Sequence, residues 1–374
     1  MKVCVIGGGN IGTALVCHIK KTRGDARVSL LTRRPEAFSE AIRCNETERG
    51  VSYSIRPDCI SSDPREAASG ADIVFIALPH FAVEDAFGSI SPFISENAFI
   101  GVIPGYGGCE FFFEKYFGRS RSLFGFQRVP FITRLEEYGR EVNILSWKPF
   151  SVVSAQYPAR TDAACELIES CGLKTQKAAN FLSVALTPTN PILHTSRIYE
   201  LFGKYPRDHV YASREKLYVG WSDLASETLF AMDRELHELL DSIPELDTSA
   251  IRPLSEHYES QTVPELNRKI NGIPSFQGIY APMAGLPDGS GYTVDTDSRL
   301  FTEDFPFGLA IIKADCELCG ISTPTMDRVL KWYADFTGKN WFVNGEFRGS
   351  DLALTGIPQR YGVTAREALL SYYL

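Results

Sequence analysis

The glycines of Gly7-x-Gly9-x-x-Gly12 stand directly behind the apolar run Lys2–Ile6 and directly ahead of Thr13–Lys20, a segment of helical character. Few arrangements restrict a chain more. A short run of β-branched apolar residues reads as a buried parallel strand. In a strand–turn–helix unit each glycine has its own task. Gly7 permits the tight turn, Gly9 lets the backbone approach a pyrophosphate, and Gly12 lets helix and strand pack closely. The anion would rest on the free N–H groups of the helix N-terminus, with Asn10 and Ile11 inside the same turn. This context makes the first part of the chain a dinucleotide-binding α/β domain of the Rossmann type.

The second strand, Val28–Leu31, indicates which nucleotide. Chains that bind NAD usually place an Asp or Glu about 20 residues beyond the glycines, on the ribose 2′-OH. Here Thr32-Arg33-Arg34 occupies that place. Two guanidiniums and a hydroxyl suit a 2′-phosphate, which a carboxylate would repel, so NADP is expected, with NAD as the alternative. Farther on, Ala71–Leu78 is a continuous apolar run of strand length. Leu78 and Pro79 end it at the sheet edge where nucleotides bind, and they join the candidate cofactor residues.

With 374 residues, 44% of them apolar, the chain is globular and long enough for about two to three domains. A net charge of −8 argues against general affinity for nucleic acid and gives local arginines more meaning as anion receptors. Nine cysteines without framework spacing, and a first strand that begins at the N-terminus without a cleavable leader, predict a reducing cytoplasm. Cys316-x-x-Cys319 has no second pair to make a zinc site, so it reads as buried structural thiols and no metal is expected. No run approaches the length of a membrane span.

In order, Glu36–Asn45 has helical character, and Asp63-Pro64 caps a short helix that stops at Gly70. Phe81–Phe87 reads as a helix, Ala98–Ile103 as a strand, and Pro104–Gly108 as a side-chain-poor loop, a turn or a nicotinamide contact. Strand-like pieces follow at Ser122–Gln127, Val129–Thr133, Val142–Ser146 and Phe150–Ala155, then a helix over Thr161–Ser170 ended by Gly172. The boundary falls near Thr175–Leu182, which predicts a dinucleotide-binding domain over 1–180 and a mostly α-helical substrate-binding domain over 181–374. In the latter, Ala225–Asp241, Leu309–Cys319, a helix capped by Thr323-Pro324 and one with a Thr364-x-x-Glu367 capping box are expected. Gly272–Asp297 is long enough for a substrate loop or lid.

A nicotinamide carries hydride only, so another part of the chain must move the proton and hold the substrate. Of six histidines, His18, His209, His237 and His257 read as surface or packing residues, and His80 follows a strand end where it could meet cofactor. His194 is the stronger candidate, since Asn190-Pro191-x-x-His194 sets an imidazole behind the proline-dense Thr187–Pro191. Arg299, Glu303 and Asp304 form a second cluster within Ser298–Leu309. An Arg there can grip a carboxylate through two parallel bonds, and an Asp can hold an imidazole in one tautomer.

The order GGGNIG, IALPHFA, PGYGG, NPILH and RLFTEDFPFGL resembles the opine dehydrogenases, the octopine/nopaline dehydrogenase family, over nearly the whole chain. The resemblance implies NAD(P)H-dependent condensation of a 2-oxo acid with an amino acid or other amine, His194 being the acid/base, Asp304 its partner and Arg299 the keto-acid carboxylate site. Asn190, Tyr199 and Trp221 are substrate-side candidates by position. Small molecules are the expected partners, and a homodimer is compatible with this reading. Two other readings fit the two-domain plan. One is a ketopantoate- or glycerol-phosphate-type reductase of 2-oxo or 2-hydroxy acids, which would use a lysine such as Lys174, Lys177 or Lys216; the other is a non-catalytic NADP-binding sensor.

Overall fold

The computed structural model describes every residue except Pro188, and of Thr189 only the helical backbone. The middle of the proline-dense stretch therefore lies outside the described residues. Contacts divide the chain into two units, Met1–Ala185 together with Leu370–Leu374, and Leu186–Leu369. The first unit thus runs past the expected 180/181 boundary and includes the C-terminal residues.

The first unit contains β1 (Lys2–Ile6), α1 (Asn10–Thr22), β2 (Arg27–Leu31), β3 (Ile42–Glu46), β4 (Val51–Ile55), β5 (Cys59–Ser61), α2 (Pro64–Ala68), β6 (Ile73–Ile76), α3 (Val83–Ile90), β7 (Phe99–Val102), α4 (Cys109–Phe117), β8 (Ser122–Phe126), β9 (Phe131–Glu137), β10 (Glu141–Trp147), β11 (Ser151–Ala155), α5 (Thr161–Ser170), β12 (Thr175–Lys177) and α6 (Leu182–Ala185). An eight-stranded sheet runs β12-β11-β8-β7-β6-β1-β2-β5. Its centre is parallel: Val5 lies opposite Leu30 on one side and Phe75 on the other. All three are fully buried, which is why these strands are continuously apolar. Toward the far edge β11 pairs antiparallel with β8. The expected α/β fold with a dinucleotide-binding sheet is present, as is the expected cap, the Asp63 carboxylate accepting the Arg65 N–H at 2.8 Å.

A second sheet, β4-β3-β10-β9, lies outside that plan. Here the helix expected over Glu36–Asn45 is overturned. Pro35–Ala37 is a single 3₁₀ turn, and Ile42–Glu46 is strand β3, antiparallel to β4 and parallel to β10. Ile42, Cys44 and Glu46 alternate inward, so cross-strand pairing overrides the local helical preference. Helix α4, unforeseen, packs Phe113 and Phe117 around Phe87 of α3.

The second unit holds α7 (Thr189–Phe202), α8 (Asp223–Asp241), α9 (Leu254–His257), α10 (Val263–Gly272), β13 (Met283–Gly285), β14 (Tyr292–Val294), α11 (Arg299–Thr302), α12 (Ala310–Leu318), α13 (Pro324–Thr337) and α14 (Arg366–Leu370). It is mostly helical, as expected. Leu229, Met232, Leu236, Leu239 and Leu240 of α8 are all buried, a stripe at helical spacing that faces the core. The expected Leu309–Cys319 helix begins earlier, with a π-helical turn over Phe305–Leu309. Gly272–Asp297, the segment long enough for a substrate loop or lid, contains the hairpin β13–β14, and bridges Tyr211–Tyr292 and Lys216–Tyr280 fasten it. All nine cysteines are free thiols. Burial pushes that of Cys319 up to about 11, and among the described residues no helix is long and apolar enough to cross a membrane.

Candidate active site

The nucleotide loop is shaped by close backbone approach. Gly7 turns at φ +109°, and a Cβ on Gly12 would stand 1.8 Å from the Gly7 carbonyl oxygen. Around Gly9 the space is open, since a Cβ there would meet nothing within 4 Å. Gly9 precedes α1 with no side-chain cap and no acidic residue in the first turn, so the helix N–H groups are left to an anion. Residues of this kind fit a dinucleotide pyrophosphate. Asn10 turns its side chain to structure, its Oδ1 accepting the Leu135 N–H at 2.7 Å. Ile11 packs against the core. Leu78 lies against the loop, its Cδ2 3.0 Å from where a Gly7 Cβ would sit, and Pro79 starts a 3₁₀ turn.

At the end of β2, Thr32 is buried with Oγ1 3.4 Å from the Tyr138 hydroxyl, and the Arg34 guanidinium lies 4.2 Å over the Tyr138 ring. Arg33 and Arg34 are exposed. Neither is paired with a carboxylate among the described residues. Tyr138 thus packs against both Thr32 and Arg34, a contact the sequence did not announce. It sits in the β9–β10 turn, where one aromatic residue carries no periodic signal.

His80 is buried rather than turned outward. Its ring lies 4.0 Å from that of Tyr106, and its Nε2 is 3.1 Å from the Pro104 carbonyl, so it props the Pro104–Gly108 loop from inside. Behind that loop Glu110 is also buried, and removal from water pushes its carboxyl up to about 7 although the Tyr373 hydroxyl donates to it at 2.9 Å. Nothing local in the sequence announced that pair.

In the second unit His194 and Asp304 meet. His194 lies on α7, one turn beyond Asn190 and on the same face. The π-helical turn brings Asp304 to it. A Cβ on Gly308 would come within 2.8 Å of Pro191 Cγ, so the absence of a side chain lets this turn approach α7. His194 Nδ1 is 2.8 Å from Asp304 Oδ2, and its Nε2 is 2.8 Å from the Tyr218 hydroxyl. A carboxylate only accepts, so in the neutral ring Nδ1 donates to Asp304 and Nε2 accepts the Tyr218 O–H. The His194 and Asp304 side chains are 13% and 7% exposed. Tyr218 is buried and stacked 4.0 Å from Phe276, and burial, helped by the charges of Tyr258 and Asp304, holds its hydroxyl far above the usual tyrosine range.

Arg197, one turn after His194 on α7, sets the place of Tyr218. Its buried guanidinium donates to the carbonyls of Leu217 at 2.9 Å, Gly220 at 3.0 Å, Val219 at 2.8 Å and Lys216 at 3.3 Å, and it pairs with Glu200. Arg299 and Asn190 are exposed; the Arg299 Nε stands 3.9 Å from Glu303. Trp221 is buried, with its indole N–H donated to Ser226 at 2.8 Å, and Tyr199 packs edge-on against Trp332. Both read as packing residues. Tyr218 was missed because Leu217–Trp221 is irregular backbone, which no periodicity marks, and Arg197 because the carbonyls it binds lie in that segment.

Residues 177–337 match the family model described as NAD/NADP octopine/nopaline dehydrogenase, alpha-helical domain, and residues 2–105 match that of the NAD-dependent glycerol-3-phosphate dehydrogenase N-terminus. Octopine dehydrogenase of Pecten maximus is 27% identical, with 99% of each chain covered. Tauropine dehydrogenase of Arabella iricolor is 25% identical over 98% of this chain and 99% of its own. Among solved structures, octopine dehydrogenase with NADH and L-arginine superposes with a TM-score of 0.87 at 26% identity, covering 99% of this chain and 98% of that one, and the same enzyme has been solved with NADH and pyruvate. A nicotinamide loop in one unit, a histidine–carboxylate pair in the other and full-length similarity lead to one conclusion: residues 177–337 carry the octopine/nopaline dehydrogenase helical domain, and the chain is an NAD(P)-dependent dehydrogenase acting on CH–NH bonds.

Proposed function

We propose that this enzyme condenses a 2-oxo acid with the amino group of an amino acid or other amine, and reduces the resulting imine to a secondary-amine dicarboxylate. The observation that carries the reading is the Asp304–His194 pair, 2.8 Å apart and largely out of water. A histidine fixed in one tautomer by a carboxylate can give a proton to a carbonyl or carbinolamine oxygen and take it back in the reverse direction. Arg299, exposed near the start of the segment that carries Asp304, is the receptor for the keto-acid carboxylate, and Asn190, one turn before His194, is the side chain placed to meet substrate. When bound, the reduced nicotinamide supplies hydride to the imine carbon. The relatives solved with NADH, L-arginine and pyruvate support this substrate class.

For the cofactor, Gly7, Gly9 and Gly12 with the open end of α1 hold the pyrophosphate, and Leu78 and Pro79 border the loop. Arg33 and Arg34, with no carboxylate partner among the described residues and beside Thr32, favour the 2′-phosphate of NADPH over NADH. The test is oxidation of NADPH and of NADH with pyruvate, 2-oxoglutarate or glyoxylate, each with and without amino acids and polyamines. Oxidation that needs both an amine and a keto acid is expected. Oxidation by the keto acid alone would make the enzyme a 2-hydroxy-acid reductase, and faster use of NADH would remove the role given to the arginines.

A further inference from the structure

Tyr218 occupies the one ring nitrogen of His194 that Asp304 leaves for chemistry. With Nδ1 bound to Asp304, a proton can pass to a substrate only through Nε2, and Nε2 is already 2.8 Å from the Tyr218 hydroxyl. The phenol is no loose neighbour. Its ring is stacked on Phe276 within 20° of parallel, and four carbonyls of its own segment are clamped by Arg197, whose guanidinium springs from the helix that carries His194. Helix, imidazole and phenol are therefore fixed as one body. Surroundings that exclude water keep the hydroxyl protonated at any working pH, so it acts as a neutral donor and acceptor and never as a standing phenolate.

We propose that Tyr218 is the terminal member of an Asp304–His194–Tyr218 proton relay and the group that hands the proton to substrate. This rests on the condensation reading above. In the proton-donating form His194 is an imidazolium, its Nε2–H directed at the Tyr218 oxygen. As the phenol oxygen takes that proton, its own O–H bond breaks and the proton goes to the hydroxyl of the carbinolamine formed from amine and keto acid. The C–O bond then breaks with its electron pair, water leaves, and the nitrogen lone pair completes the C=N bond of the iminium. The imidazole is left neutral and still bound to Asp304, while the phenol ends as it began. Oxidation of the product runs the same transfers backwards. A histidine acting alone would need Tyr218 to vacate Nε2 in every turnover, against its stacking and the Arg197 clamp.

The test compares the wild-type enzyme with Tyr218→Phe, which keeps the stacked ring and removes only the hydroxyl. Expected are a kcat about 100-fold lower, at the small end of the range for a lost acid–base group, unchanged NADPH affinity and keto-acid KM, and a solvent-isotope proton inventory that changes from curved to linear, since two protons move together only with the phenol present. Replacing Tyr218 by 3-fluorotyrosine preserves shape and makes the hydroxyl more acidic, and the pH profile of kcat should move to lower pH. Undiminished kcat with an unaltered proton inventory in Tyr218→Phe would overturn the relay. A wild-type enzyme that condenses no amine with any keto acid would instead overturn the substrate reading. In that event nitrogen-15 spectra of His194 still decide the contact: Nε2 should move toward the position of a nitrogen without a donor in Tyr218→Phe, and an unmoved signal would remove Tyr218 from the relay.

Discussion

The tasks proposed for His194, Arg299 and the Arg33–Arg34 pair are separable, and substitutions at each place should separate them. His194→Ala is expected to abolish turnover, a loss of at least about 10²–10⁴ in kcat, while fluorescence titration with NADPH gives an unchanged affinity. A parallel loss of NADPH binding would place His194 elsewhere. Arg299→Ala should raise the KM for the 2-oxo acid by about 10–100-fold, the worth of a charge-assisted pair of hydrogen bonds, and an unaltered KM would remove it from the substrate site. Replacing Arg33 and Arg34 together by Ala should weaken NADPH by a similar factor and NADH little. Equal weakening of both would mark the two arginines as general surface charge. His194 and Asp304, which the fold brings together, were legible in the sequence because each sits in a short pattern of fixed spacing. Tyr218 was not, since only folding brings it to His194.

At the level of elements, α7 has two duties. Its N-terminal half presents Asn190 and His194, and its next turn anchors the Lys216–Gly220 segment through Arg197. Arg197→Lys keeps the charge but cannot reproduce a planar fork that bonds several carbonyls at once. It should lower kcat several-fold by loosening Tyr218 and cost about 2–3 kcal/mol in denaturant unfolding, the scale of one or two charged hydrogen bonds. Full activity in that variant would show that stacking alone places the phenol. Legibility of the elements followed from how locally each is determined. Helix α5 stops at Gly172 and α13 starts at Pro324 as read, because glycine, proline and an amphipathic stripe act within a few residues. Strand β3 was misread as helix because its partners, β4 and β10, lie partly a hundred residues away in sequence. Nothing local distinguishes such a strand until they arrive.

At the scale of the whole molecule, buried Glu110 depends on Tyr373, 263 residues away in sequence. The folded carboxyl releases its proton at about 7, the unfolded one near 4.3. Below about pH 4 both states are protonated and the difference is silent. Between the two values the folded state retains a proton that the unfolded state has lost, so stability falls as pH rises, by about 3–4 kcal/mol when pH 7 has been passed. Glu110→Gln should flatten this dependence, and denaturant midpoints at pH 5 and pH 8 will show it. A variant that follows the wild type at both pH values would mean that the carboxyl is already ionised when folded. Removing residues 370–374 should cost about 3–5 kcal/mol, since it empties the space of a fully buried aromatic ring.

That closing tyrosine also imposes a schedule. A nucleotide-binding unit encoded in a single stretch could settle as soon as it left the ribosome, but this one includes Leu370–Leu374. At about 5–20 residues per second, synthesis of the intervening unit holds the first in waiting for on the order of ten to forty seconds. During that interval Phe111, the partner of Tyr372, and Glu110 lack their covering. The newborn chain passes through a period in which its cofactor half is assembled but unsealed, and fragments that stop after Ala185 would remain there.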